Sequence, residues 1–69
     1  MITTAEISKR LAEAIRQSGC TQREIAEKIG VRQQQISIYI QGKTLPALDT
    51  LARLCVALDL DANEILGIE

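Results

Sequence analysis

The sequence predicts an all-α fold, a compact domain of five short helices. Its 69 residues leave room for one domain with one small core, so residues 1–69 are expected to form a single unit. The hydrophobic residues make up 46% of the chain and are nearly all aliphatic, with Tyr39 as the one aromatic side chain. These aliphatic residues recur at three- and four-residue spacing between glycines, which favours helices over strands.

The first two helices are bounded by the same signals. Each follows a threonine that has a glutamate three residues later, the spacing of a capping box, and each stops near a glycine. The first helix follows Thr3 and stops at Gly19, and the second runs from about Gln22 to Ile29 and stops at Gly30. The expected inner-face residues are Ile7, Leu11, Ala14 and Ile15 in the first helix, and Ile25, Ala26 and Ile29 in the second.

The third helix is predicted from Val31 and Ile36, which have the spacing of a hydrophobic staple around a helix start at Arg32. Arginine is a poor N-cap, and Gln35 at the third helical position is expected to satisfy an orphan backbone donor. The helix lasts until Gly42. Its inner face is expected to carry Ile36, Tyr39 and Ile40.

The last two helices follow a proline and an aspartate. Pro46 suits the start of a fourth, strongly apolar helix. Asp61 and Glu64 are expected to cap a short fifth helix that Gly67 ends. The residues that make the fourth helix apolar are Leu48, Leu51, Ala52, Leu54, Cys55 and Leu58, and the expected buried residues of the fifth helix are Ile65 and Leu66.

Charge is unevenly distributed along the chain. Residues 1–43 carry seven basic side chains against four acidic ones, whereas residues 44–69 carry one against five. A basic half is the kind of surface that duplex phosphate attracts. Ordinary solvated charge on helix faces explains the same pattern equally well, so charge alone decides nothing.

Several classes of function are disfavoured by composition. There is no histidine, Cys20 and Cys55 do not form a CxxC motif, and no glycine-rich phosphate loop or nucleophile–base pair is present. We therefore expect no enzyme activity, no cofactor and no metal, and two reduced thiols that pack as small core residues. No apolar run is long enough to span a bilayer and no secretory signal is present, so the expected location is cytoplasmic.

The second and third helices, with the short glycine-containing turn between them, have the proportions of a helix-turn-helix. The segments TQREIAEKIGVRQQQISIYIQGK and LPALDTLARLCVALDLDANEILG together resemble the lambda-repressor-like family of phage repressors, Cro proteins and XRE-type regulators. The matching positions are Gln22, Ala26, Gly30, Val31, Ile36, Tyr39, Gly42 and Lys43. The resemblance covers essentially the whole chain. It implies sequence-specific binding of double-stranded DNA by the third helix, and a transcription regulator that we expect to be a repressor.

The outward face of the third helix is the candidate reading surface. Glutamine can pair with the N6 and N7 edge of adenine, and an apolar side chain can contact a thymine methyl, so a site rich in A·T pairs is expected. The alternative is that glutamine is merely a soluble surface residue. Ile38 stands where the family is usually polar, and is either a methyl reader or an exposed hydrophobe. The candidate base contacts are Gln33, Gln34, Ser37 and Ile38.

Phosphate contacts are expected at the edges of the motif, where helix N-termini and basic side chains lie. The resemblance gives Gln22 a phosphate-clamping role. For each basic residue taken singly, ordinary solvated charge is an equal alternative. The candidate phosphate contacts are Gln22, Arg23, Arg32, Gln41, Lys43 and Thr44.

One departure from the family leads to a structural prediction. Many members carry an arginine at the position of Ile15 and a glutamate at the position of Ile40, and those two side chains pair. Replacing a buried ion pair with apolar residues is often neutral or stabilising. We therefore expect Ile15 and Ile40 to touch in the core.

A homodimer is expected, because one module buries too little surface to bind DNA tightly, and the family reads paired half-sites. The candidate dimer residues are Leu60, Ile65, Leu66 and Ile68, although all except Ile68 serve equally well to cover the core. A protein-interaction module, such as an antitoxin or a bridging factor, is the alternative function. The acidic C-terminal half would then face the protein partner.

Overall fold

The computed structural model describes residues 2–68, and every regular element in this range is an α-helix. The elements are α1 (Thr4–Gln17), α2 (Gln22–Ile29), α3 (Gln33–Ile40), α4 (Leu48–Leu58) and α5 (Ala62–Leu66). The predicted five-helix, all-α fold is therefore confirmed. None of the helices in the described range is long and apolar enough to cross a membrane.

The two predicted capping boxes differ in completeness. At α2 both bonds form, because the Thr21 N–H donates to Glu24 Oε1 at 3.0 Å and the Glu24 N–H donates to Thr21 Oγ1 at 3.1 Å. At α1 only Thr3 Oγ1 accepts, from the Glu6 N–H at 3.2 Å. The Glu6 carboxylate instead pairs with Arg10 at 3.5 Å, one helical turn further on.

The start of α3 is stabilised differently from the prediction. Arg32 is the N-cap and its side chain makes no capping bond, as expected of arginine. The Gln35 backbone N–H donates to the Arg32 carbonyl at 3.0 Å. The Gln35 side chain does not act as the predicted cap, because its Nε2 donates to Tyr39 Oη at 3.2 Å. This bond satisfies the one polar group of a side chain that is otherwise buried.

The core lies where the inner faces of all five helices meet, and its centre is fully aliphatic. The side chains with less than 2% exposure and the largest volume are Leu11, Ile15, Ile25, Ile36 and Leu54. Cys20 and Cys55 are half-buried free thiols that pack against this cluster. Burial, helped by the charge of Asp61, raises the pKa of the Cys55 thiol. Both cysteines thus lie where small hydrophobic side chains are expected.

The apolar residues of α4 do not all face the core. Leu48 is 83% exposed, and Ala52 is also exposed. The helix begins at Leu48, with Ala47 rather than Pro46 directly before it, and its buried residues are Leu51 and Leu54. Because α4 is apolar on more than one face, spacing alone does not identify which face turns inward.

Three arginines tie the helices together, and we call them the arginine clamps. They donate from Arg10 Nη1 to the Glu64 carbonyl (2.9 Å), from Arg16 Nη2 to the Ile40 carbonyl (2.9 Å), and from Arg53 Nη1 to the Ile29 carbonyl (3.2 Å). Each acceptor lies in the last turn of a helix, where carbonyls have no partner within the helix. The clamps therefore join α1 to α5, α1 to α3 and α4 to α2, which are packed helix pairs of the fold.

Candidate nucleic-acid interface

The turn between α2 and α3 is shaped by one glycine and two backbone hydrogen bonds. Gly30 adopts a left-handed conformation with φ of +75°, and its N–H donates to the Ala26 carbonyl at 2.9 Å. The Val31 N–H donates to the same carbonyl at 3.1 Å. Nothing lies within 4 Å of a Cβ placed at Gly30, so glycine is required there for its backbone conformation rather than for space.

The α3 helix is held by one face and presents the other to solvent. Ile36 is completely buried and Tyr39 is 4% exposed, so these two residues fix the rotation of the helix. Successive residues are turned by about 100° around a helix axis, so Gln34, Ile38 and Gln41 point away from these two residues and Gln33 lies at the flank. Exposed there are Gln33, Gln34, Ile38 and Gln41, with Ser37 half-buried among them. The structure thus brings the predicted base-contact residues together on one surface.

This surface carries no charge. Residues 33–40 contain three glutamines, a serine, a tyrosine and three isoleucines, and no acidic or basic side chain. Carboxylates would be repelled by DNA phosphates, and their absence lets the glutamine amides approach base edges at no electrostatic cost. Ile38 remains 40% exposed between them and adds an apolar contact point. The surface suits readout by hydrogen bonds and methyl contacts.

The N-terminus of α2 offers two backbone donors. The capping box uses the N–H groups of Thr21 and Glu24, and no described residue accepts from the N–H groups of Gln22 and Arg23. Hydrogen bonds from the backbone N–H and the hydroxyl of Thr21 lower the pKa of Glu24, with Lys28 adding a smaller effect. Gln22 is half-buried and Arg23 is exposed. Free N–H groups at a helix start are suited to binding a phosphate oxygen.

The N-terminus of α3 is also open. The Arg32 side chain caps nothing, and the first turn of α3 contains no acidic residue. No carboxylate in residues 2–68 lies within 4.0 Å of the exposed Arg32 guanidinium. The positive end of the helix dipole and an unpaired arginine therefore lie next to Gln33 and Gln34.

The other candidate phosphate contacts surround α3. Arg23 makes a 3.3 Å ion pair with Glu27, but both side chains are at least 70% exposed, so this pair is weak and easily exchanged for a phosphate. Lys43 and Thr44 are exposed in the loop after α3. That loop is seated on α1, because a Cβ placed at Gly42 would lie 3.9 Å from Ala12 Cβ.

The candidate dimer residues do not form one exposed patch. Ile65 is 4% exposed and belongs to the core, so the structure leaves it no surface for a partner. Leu60 and Leu66 are half-buried against the same core. Ile68 alone is well exposed, at 57%. The physical reason is that α5 is short and is pulled onto α1, where the Arg10 clamp reaches the Glu64 carbonyl.

At the junction of α1 and α3, sequence reasoning missed the role of Arg16. Ile15 is 1% exposed and Ile40 is half-buried, and both pack in the same hydrophobic cluster, while a direct contact between them stays a prediction. Arg16 reaches over them to the Ile40 carbonyl, and its Nη1 also pairs with Glu13 at 3.2 Å. Any residue type at position 40 supplies a backbone carbonyl, so the identity of that residue does not predict the bond. The sequence shows only that Glu13 lies three residues before Arg16, which is the spacing of an ion pair within a helix.

The comparisons with known proteins agree with this geometry. The helix-turn-helix family profile matches residues 11–65, and the chain belongs to that family. The resemblance to lambda-repressor-like, XRE-type domains is thereby confirmed.

Two curated relatives share most of the chain. It is 34% identical over 61 residues to the HTH-type transcriptional regulator ImmR of Bacillus subtilis (strain 168), a match covering 88% of this chain and 48% of ImmR. It is 29% identical over 62 residues to the cryptic phage CTXphi transcriptional repressor RstR of Vibrio cholerae serotype O1, covering 90% of this chain and 55% of RstR. The chain therefore spans about half the length of these relatives. No solved structure gives a significant match.

Proposed function

We propose that residues 1–69 act as one DNA-binding module, a transcription regulator that reads double-stranded DNA with α3 in the major groove. The observation that carries the proposal is the outward face of α3, which is uncharged and rich in amides while the opposite face is locked into the core. Membership of the helix-turn-helix family supports the same role. The names of the two relatives describe a regulator and a repressor rather than enzymes.

Base readout is assigned to the exposed α3 surface. The amides of Gln33 and Gln34 lie in the first turn of α3, which is the part of a recognition helix that contacts base edges. We propose that they pair with adenines, that Ile38 contacts a thymine methyl and that Ser37 bonds to a neighbouring base edge. The preferred site is therefore rich in A·T pairs.

Phosphate binding is assigned to the two helix starts and the loop after α3. The free backbone N–H groups at the start of α2 and the unpaired Arg32 supply donors on either side of the reading surface. These contacts position the helix and carry no sequence information themselves. The proposed phosphate contacts are Gln22, Arg23, Arg32, Gln41, Lys43 and Thr44.

We propose that the chain represses transcription as a homodimer on two half-sites about 34 Å apart. The name of RstR supports repression. Pairing on DNA would use the C-terminal end, where Leu60 and Leu66 are partly accessible and Ile68 is exposed. This role also requires the compartment that holds the DNA, consistent with the cytoplasmic expectation.

A binding selection from random duplex DNA at two salt concentrations tests the proposal. The wild-type chain should enrich a palindromic, A·T-rich site, and a variant with Gln33→Ala and Gln34→Ala should lose this preference. Gln17→Ala is the matched control, because Gln17 is an exposed glutamine on α1, away from the reading surface. Enrichment of the same site by the double variant would contradict the assignment.

A protein-interaction module is the second candidate, and the acidic half of the chain supports it. Residues 44–69 carry five acidic side chains and one basic side chain. Binding of a protein partner in the absence of DNA, together with no enriched DNA site even at low salt, would favour this function over the first.

A further inference from the structure

The outer face of α4 is unusually apolar. Leu48 and Val56 are 83% and 85% exposed, and the exposed Ala52 lies midway between them. The three residues are spaced by four positions and so form one line along the helix, which we call the α4 stripe. The outer faces of α1 and α2, in contrast, carry charged pairs such as Arg16–Glu13 and Arg23–Glu27.

A groove runs beside the stripe, between α4 and the end of α2. Its volume is about 560 Å³, and its floor is apolar. The lining residues are Lys28, Ile29, Ala52, Arg53, Val56 and Ala57. The two cationic residues lie at its rim. The same face of the molecule thus carries a protruding leucine at one end of the stripe and an apolar groove at the other.

These features are complementary under a two-fold rotation. With a rise of about 1.5 Å per residue, Leu48 and Val56 lie about 6 Å on either side of Ala52 along the helix axis. If a second α4 runs antiparallel and crosses at Ala52, each Leu48 faces the Val56 end of the other copy. Small side chains at Ala52 let the two helices approach closely. An isologous interface requires this kind of self-complementary surface.

The charges on this face fit the same arrangement. Asp49 and Arg53 are the charged residues of the outer α4 surface, and they pair within the helix at 3.1 Å. In the antiparallel arrangement the carboxylate of each Asp49 approaches the rim of the other groove, where Arg53 and Lys28 are positive. Opposite charges then meet twice, once at each groove rim.

We propose that the α4 stripe and its groove bind a second copy of this chain in an antiparallel, two-fold arrangement. The face is smaller than a standard protein interface, so the contact is a weak, concentration-dependent one. It is separate from the C-terminal surface proposed for pairing on DNA, and it does not depend on DNA binding.

The dissociation constant for self-association, measured by sedimentation equilibrium without DNA from roughly 10 µM to 1 mM, tests this contact. Val56→Lys should raise the constant about tenfold or more, because the two-fold symmetry removes two apolar contacts at once. The fold should persist, since Val56 is 85% exposed. Gln17→Lys adds the same charge at an exposed position on α1 and should leave the constant unchanged.

Cross-linking locates the two-fold axis directly. Ala52→Cys places a thiol at the proposed crossing point and should form a disulfide-linked dimer under mild oxidation. Gln17→Cys and the wild-type chain, with its half-buried Cys20 and Cys55, give the background. A wild-type chain that stays monomeric throughout the range would overturn the proposal. So would Val56→Lys associating as tightly as wild type, or Ala52→Cys cross-linking no faster than Gln17→Cys.

Discussion

Replacing Arg16 with glutamine should measurably destabilise the fold, although more than half of this side chain is in solvent. The substitution removes the 2.9 Å bond to the Ile40 carbonyl and the 3.2 Å ion pair with Glu13. Glutamine is too short to bridge from α1 to the end of α3, and its helix propensity is similar to that of arginine. The loss therefore reports on the clamp rather than on the helix that carries it.

The size of the effect follows from the exposure of the group. Hydrogen bonds to charged groups contribute about 1.5–3 kcal/mol, and the 53% exposure of the Arg16 side chain moves the expectation to about 1 kcal/mol. In a domain of this size that corresponds to a fall of roughly 4–8 °C in the temperature of unfolding. Thermal unfolding followed by circular dichroism measures it.

The matched control is Arg23→Gln. Arg23 also pairs with a glutamate on its own helix, at 3.3 Å, but it reaches no carbonyl on a neighbouring helix. Removing this exposed pair should cost only about 0.2–0.5 kcal/mol. If both variants unfold at the same temperature, the link from Arg16 to Ile40 contributes nothing and the reasoning is wrong.

Three further predictions concern the core, the cap of α2 and the phosphate contacts. Ile36→Ala should cost about 2–5 kcal/mol and leave much of the chain unfolded in a chemical denaturation series, whereas Ile38→Ala should change stability little. Because the pKa of Glu24 is lowered on folding, its stabilisation is complete above the pKa of the unfolded chain and is lost as pH falls through the folded-state pKa. Unfolding temperatures should thus fall more on acidification for wild type than for Glu24→Gln, and equal falls would contradict this. Arg32→Gln should weaken binding equally for all DNA sequences and reduce the salt slope by about one in a salt titration, whereas an effect confined to one sequence would argue for a base contact.

The local signals in the sequence predicted most of the helix boundaries. The bounds of α2 agree with those expected, because a threonine–glutamate box and a left-handed glycine are short-range features. The stops at Gly30 and Gly67 follow for the same reason, since both glycines adopt the left-handed conformation that ends a helix.

Other features depended on tertiary packing. In α4 the sequence allows more than one apolar face, and packing against α2 and the shared core leaves Leu51 buried while Leu48 remains in solvent. The arginine clamps were not foreseen either, because their acceptors are backbone carbonyls and any residue type can supply one. Ile65 was assigned to an interface and to the core with equal weight, and the structure places it in the core.

In the helix-turn-helix, the residues that fix the position of α3 differ from those proposed to read bases. The buried Ile36 and Tyr39 set the rotation of α3, and the Arg16 clamp holds its C-terminal end. Gln33 and Gln34, which are proposed to read bases, are exposed and lie outside the buried cluster. Changes in Gln33 or Gln34 should therefore alter DNA preference with little effect on folding.

Chemical-shift mapping tests whether α3 and the start of α2 contact duplex DNA. A titration of the isotope-labelled chain with an A·T-rich duplex would be followed through the backbone amides and the glutamine side-chain amides. The largest changes are expected at Gln33, Gln34, Gln22 and Arg23, with the α4 stripe unaffected. Changes confined to α4 and α5, or no changes at low salt, would contradict it.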